Sequence, residues 1–214
     1  MIIETAAARR PGRPKSEEKA ESILDAASHL FMTEGMERTS MDAIAQAAGV
    51  SKQTVYSHFR SKDELFRACI TCKVDEYGLA VASLPAGASV DQKLAVTGRR
   101  FLTLIRDPEV MKMFRLMIAE ATAFPKVSMS FHESGPQATV HFMATIFHAH
   151  LGEDDMSVAM QAAGDFIGLL KGEHFMALLL GTRDTISDAD IDKQIADSVR
   201  KIHRLYELSD IAVR

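Results

Sequence analysis

The chain is 214 residues long, which allows one or two domains with a proper core. Its net charge of −4 excludes a protein that coats nucleic acid by bulk charge, so any DNA contact must be a local patch. Apolar residues make up 47% and aromatic residues only 7%, Trp is missing, and helix formers abound without an Asn-Gly or Asp-Gly hairpin signal, so the composition predicts an all-α protein.

Residues 1–15 read as a basic, flexible arm. Arg9, Arg10, Arg13 and Lys15 bring four cations and no acid. Gly12-Arg13-Pro14 is similar to the core of an AT-hook, in which an Arg such as Arg13 enters a narrow minor groove. The competing reading is a solvated tail that contributes only counterion release. A first helix is expected from Ser16 to about Glu34, with Ala20, Ile23, Leu24, Ala27, Leu30 and Phe31 forming its apolar stripe and Gly35 its end.

The stretch Thr39 to Lys62, TSMDAIAQAAGVSKQTVYSHFRSK, carries the densest signal. Ser40 is positioned to cap a short helix whose apolar face is Met41, Ile44, Ala45 and Ala48. Gly49 suits the left-handed turn that ends it. Ser51 then caps a second helix, with Val50 and Val55 placed as a hydrophobic staple. On that second helix Val55 and Phe59 point inward, while Lys52, Gln53, Tyr56 and Arg60 fall on the opposite side. A cation, an amide and a phenol are suited to phosphates and base edges. Ser61 and Glu64 form a capping box for the next helix, whose positive end, with Lys62, is suited to a phosphate. The pattern is that of a helix-turn-helix.

A fourth helix is expected from Lys62 toward Leu84, before a break at Leu84-Pro85-Ala86-Gly87. Further helices are expected at Ser89–Ile105, from Asp107-Pro108 to about Ala123, and from Lys126 to Leu151 with a kink or break at Gly135-Pro136. Ser157 to Leu180 and a last helix from Ser187 or Asp188 close the chain. The middle is dense in Met and Phe, side chains that adapt to apolar or aromatic ligands. Met111, Met117, Phe114, Phe131, Phe142 and Phe166 are the candidate pocket walls, with Glu120, His132 and His174 as polar contacts. The competing reading of each is plain core.

Residues 20–66 resemble the TetR/AcrR family of bacterial transcriptional regulators, through ILDAASHLFMTEGMERTSM and AIAQAAGVSKQTVYSHFRSKDELF. The resemblance implies an all-α fold: a headpiece at 16–61, then a helical ligand-binding and dimerisation domain at 62–214. It implies a homodimer on a double-stranded DNA operator, released when a small effector binds. Family DNA contacts carry over to Thr39, Ser51, Lys52, Gln53, Thr54, Tyr56, His58 and Lys62. Gln53 departs from the Gly of many relatives, so the operator cannot be borrowed from them. Phe166, Leu170, Ile195, Val199 and Ile202, on the last two long helices, are the candidate dimer contacts.

Nothing in the chain matches a nucleophile motif, a phosphate loop or a dinucleotide fingerprint, so an enzyme using the helical pocket ranks below a regulator. A helical ligand-binding protein or an activator whose headpiece serves a different regulatory role stands between such an enzyme and the leading reading, a repressor. No cofactor or metal is expected, since no Cys/His spacing typical of zinc is present. No segment reads as membrane-spanning or secretory, and the cytoplasm is the expected location, with Cys69 and Cys72 reduced.

Overall fold

The computed structural model describes residues 15–79, 84, 87–151 and 156–208. Residues 1–14 of the expected basic arm, Arg13 among them, lie outside them, and Lys15 opens the first helix. Among the described residues the chain is helical with no strand: α1 (Lys15–Glu34), α2 (Met41–Ala47), α3 (Lys52–His58), α4 (Lys62–Glu76), α5 (Val90–Arg106), α6 (Pro108–Glu120), α7 (Pro125–His132), a π-helical turn (Glu133–Gln137), α8 (Ala138–Leu151), α9 (Met156–Lys171), α10 (His174–Leu180) and α11 (Asp188–Tyr206). The chain divides into two compact units, one ending at Leu65 and one beginning at Phe66.

In the first unit α1, α2 and α3 pack against one another. Ile23, Ala27, Phe31, Ile44 and Val55 are all but inaccessible. Each fully buried Ile, Phe or Val side chain among them contributes about 2 kcal/mol, which outweighs the small propensity differences per residue. Lys62 at the start of α4 donates to the carbonyls of Met36 (2.7 Å) and Glu37 (3.1 Å), fastening the loop after α1.

The second unit is built around α5, α8, α9 and α11. Leu94, Leu102, Ile105, Met143, Phe147, Phe166, Leu170, Ile191 and Ile202 form its core. Ala159, Ala162 and Ala163 on α9 let α8 approach closely, and α11 packs on both α9 and α5. Arg106–Asp188 (2.6 Å), Arg99–Asp192 and His203–Asp91 cross between α5 and α11. These pairs are largely solvated, so they fix register more than they stabilise.

Three expected boundaries change. The fourth helix stops at Glu76, well short of Leu84, because Gly78 turns with φ 66°. Ser157–Leu180 is two helices, since Gly172 takes a positive φ of 45° that ends α9. Gly135-Pro136 is no break: Pro136 lies inside a π turn that joins α7 to α8. Pro lacks an N–H and crowds the carbonyl four residues back; one extra residue in the turn relieves both problems.

Asp107 organises the corner between α5 and α6. Its side chain caps α6 through Glu109 N–H (2.8 Å), accepts from Tyr77 Oη (2.7 Å) and pairs with Lys73 Nζ (3.0 Å). Burial pushes its carboxyl up, but bonds from Tyr77, Lys73 and Glu109 outweigh burial and hold it below the usual carboxylate range. Burial opposes the charge on Lys73, yet Asp107 and Glu76 carry its pKa up to about 12; burial and Asp107 together push Tyr77 up to about 12. Asp107→Ala should cost about 2 kcal/mol at neutral pH, from the lost cap and the stranded Tyr77 hydroxyl. A lowered native pKa gives stability that is full above the unfolded carboxylate value of about 4 and lost as pH falls through the native one. Thermal melts should therefore show the parent–variant gap shrinking in acid.

Candidate nucleic-acid interface

The turn between α2 and α3 is built from local bonds. Ser40 Oγ accepts from Ala43 N–H (3.1 Å) and Ser51 Oγ from Thr54 N–H (3.1 Å). Between them Gly49 sits at φ +66°, where a Cβ would be strained. The reciprocal half of the capping box at α4 falls one residue early: Glu64 Oε2 accepts from Arg60 N–H (2.9 Å), while Ser61 Oγ accepts from Glu64 N–H (3.1 Å).

Val55 is fully buried, which turns the opposite face of α3 outward. Lys52, Gln53, Tyr56 and Ser57 are exposed there; Thr54 and His58 are half-buried. Gln53, Tyr56 and Ser57 follow at i, i+3 and i+4, one continuous face. Ser57 was not among the expected contacts, although this spacing places it there; its hydroxyl donates to Thr54 O (2.7 Å). Arg60, expected on the same face, lies beyond the helix: α3 ends at His58 and Phe59 is extended, so Arg60 is exposed in the bend before α4. Ser51 and Thr54 share a side-chain hydrogen bond of 2.8 Å.

Two expected phosphate contacts are engaged within the chain. Thr39 is buried, 2% exposed, and its hydroxyl donates to Gly35 O (2.8 Å). It secures the loop before α2 instead of facing solvent. Lys62 is held by the carbonyls of Met36 and Glu37. Lys52 is exposed but paired with Asp42 at 2.7 Å, and that hydrogen bond raises its pKa. Asp42 is an acid on the candidate interface that helical periodicity alone did not bring to notice, since the pairing crosses the turn.

In the second unit the expected pocket residues divide. Phe114 of α6 makes edge-to-face contacts with Phe131 of α7 (5.0 Å) and with Phe175 of α10 (5.4 Å), so an aromatic cluster joins three helices. Phe175 escaped the sequence reading because it lies in an apolar run without helical contrast. Glu120 has a buried Oε2 without a hydrogen-bond partner, and Met117 is buried. Met111, Phe142 and Phe166 belong instead to the core, Phe166 against Phe147 (6.1 Å). His132 is exposed, and buried His174 is bonded through Nδ1 to Arg183 (2.8 Å), which also pairs with Asp190 (2.6 Å).

The expected dimer contacts divide. Phe166, Leu170 and Ile202 are 0% exposed within one chain and close the subunit's own core, which corrects their expected place at an interface; Ile195 is 6% exposed. Ile195 and half-buried Val199 lie along a groove of about 860 Å³ between α5 and α11. Cys69 is buried and Cys72 exposed, so they do not share an environment. No helix among the described residues is long and apolar enough to cross a membrane, and none of their His, Cys, Asp and Glu form a group of three suited to a metal.

A capped helix-turn-helix followed by a separate all-helical unit defines a class of one-component DNA-binding regulators. Residues 23–69 match the family model of bacterial regulatory proteins, tetR family, and residues 92–208 match that of the AefR-like transcriptional repressor, C-terminal domain. The second match alone covers more than half of the chain, and the protein belongs to the TetR family of transcriptional regulators.

The transcriptional activator FasR of Mycolicibacterium smegmatis is 43% identical over 67 residues, 31% of each chain. The regulator AcrR of Shigella flexneri is 40% identical over 57 residues, 27% of this chain and 26% of its own. These matches thus span less than a third of the curated relatives' length. Among solved structures, the flavonoid-responsive regulator FrrA is 31% identical with a TM-score of 0.67, covering 88% of this chain and 97% of its own. Bacillus subtilis FadR, solved with stearoyl-CoA, shares the fold at 16% identity and a TM-score of 0.56, over 85% of this chain and 96% of its own.

Ser51→Ala should destabilise the protein by about 1 kcal/mol through the lost α3 cap. Amide exchange across 52–58 should quicken more than that across 90–106; equal changes would show that the cap serves the whole fold.

Proposed function

We propose that this protein is a homodimeric, cytoplasmic repressor that binds an operator through α3 and is released by a small, largely apolar or aromatic effector. Residues 1–15 would be a basic arm, 16–61 the DNA-binding headpiece and 62–214 the effector-binding and dimerisation domain. The observation that carries the reading is the outward face of α3, Gln53, Tyr56 and Ser57, backed by buried Val55. In this reading Gln53 reaches base edges, while Lys52, Tyr56 and His58 meet phosphates or flanking bases. Ser51 and Thr54 shape the helix end, and Thr39 and Lys62 position the loop beneath it. Arg13 would extend contact into a minor groove.

The C-terminal match to a repressor domain supports repression over activation. The aromatic cluster of Phe114, Phe131 and Phe175 supports an aromatic effector, as does the flavonoid response named for FrrA. Such a ligand must bind the DNA-incompetent arrangement more tightly, or it shifts nothing.

Binding sites selected from a randomised duplex pool test the reading. Lys52→Ala and Tyr56→Ala should weaken binding to all selected duplexes alike, whereas Gln53→Ala should lose about 1–3 kcal/mol at particular base pairs and relax preference there. Uniform loss with Gln53→Ala would place it on the backbone instead.

The corrected dimer face is the outward side of α9 and α11. Gly164 and Gly168 are exposed, and a Cβ at either would meet nothing within 4 Å. Ala196 and Arg200 are exposed on α11. Two-fold pairing of such surfaces suits two half-sites on DNA. Gly168→Trp has room in a single chain, so it should leave the helical content intact while converting dimer to monomer in light scattering. A dimer that survives it would move the interface elsewhere.

A further inference from the structure

The second unit grips the Phe66–Glu76 portion of α4 at the π turn. Gly135, at the centre of that turn, is buried, and a Cβ there would lie 3.1 Å from Ile70 Cγ2 on α4. No larger residue admits this approach without displacing Ile70. Beside it Arg67 of α4 reaches Ser130 Oγ through Nη2 (3.3 Å) and Glu133 Oε2 (3.5 Å), long contacts on a half-exposed side chain. Such pairs guide position more than they stabilise.

The same segment leads into the aromatic cluster. Ser130, which meets Arg67, is followed directly by Phe131, which stacks on Phe114. A molecule that parts Phe114 from Phe131 therefore shifts α7 and with it Ser130, Glu133 and Gly135. A π turn holds one residue more than an α turn and is the adaptable point of the α7–α8 rod. The 2.9 Å bond from Thr139 Oγ1 to Gly135 O keeps its far side anchored to α8, so movement is concentrated on the α7 side.

We propose that the π turn at Glu133–Gln137 is the joint that couples the aromatic cluster to α4, with Gly135 and Arg67 as its positioning residues. The proposal rests on the DNA-binding regulator reading and names how that regulation would reach the headpiece, through the continuous helix α4. Coupling between two sites is reciprocal, so DNA itself can serve as the probe and no effector is needed.

Hydrogen–deuterium exchange across residues 125–140 of the full chain, with and without a selected operator duplex, tests it. In the parent, duplex should change exchange there by about fivefold. In Arg67→Met and Gly135→Ala the duplex should still bind, within about threefold of parental affinity, while the change at 125–140 is lost. Arg67→Met alters a half-exposed side chain and leaves a usable variant should Gly135→Ala fold poorly. A parent that binds duplex with no change at 125–140, or variants that keep the full response, would overturn the joint alone. A parent that binds no selected duplex would overturn the regulator reading and the joint with it.

Discussion

A recognition helix of seven residues cannot hold itself together in water, and the rest of the headpiece follows from that constraint. α3 exists because Val55 is fully buried, because Ser51 satisfies its first N–H groups, and because Gly49 turns the chain where a side chain could not. Burial of Val55 sets the rotation of the helix, and that rotation turns Gln53, Tyr56 and Ser57 outward. The outward face is thus a consequence of the inward one. A helix stable by itself would not need α2, and its polar side would have no defined direction.

The cations around this face are less available than a count of charges suggests. Lys52 already has a carboxylate partner in Asp42, and Lys62 closes the loop after α1. Any anion that takes Lys52 must compete with an exposed ion pair, worth little in water and readily exchanged.

In the second unit two corners locate α4. Asp107 ties Lys73 and Tyr77 to the start of α6, and the π turn receives Arg67 and Ile70. The first corner is charged and well satisfied; the second is held by a close van der Waals approach and loose polar contacts. A helix anchored firmly at one point and softly at another has a defined way to move. The aromatic cluster of Phe114, Phe131 and Phe175 involves α6, which starts at the firm corner, and α7, which ends at the soft one.

The sequence by itself determined what depends on neighbours a few residues apart. The all-helical class, the caps at Ser40 and Ser51, the turn at Gly49 and the inward stripe of α1 all rest on local sterics and hydrogen bonds, and periodicity exposes them. Tertiary structure decided which apolar residue serves which purpose. Phe166 and Phe114 look alike in sequence, yet one is sealed against Phe147 and the other, half-buried, meets Phe131 and Phe175 edge-on, because burial depends on which helix arrives opposite. The same holds for Thr39, whose hydroxyl turns inward to Gly35, and for Ile202 and Leu170, which a stripe marks as apolar without saying whether their own chain or another covers them. Hydrophobic burial is non-directional, so a sequence states that a face must be covered and leaves the covering to the fold.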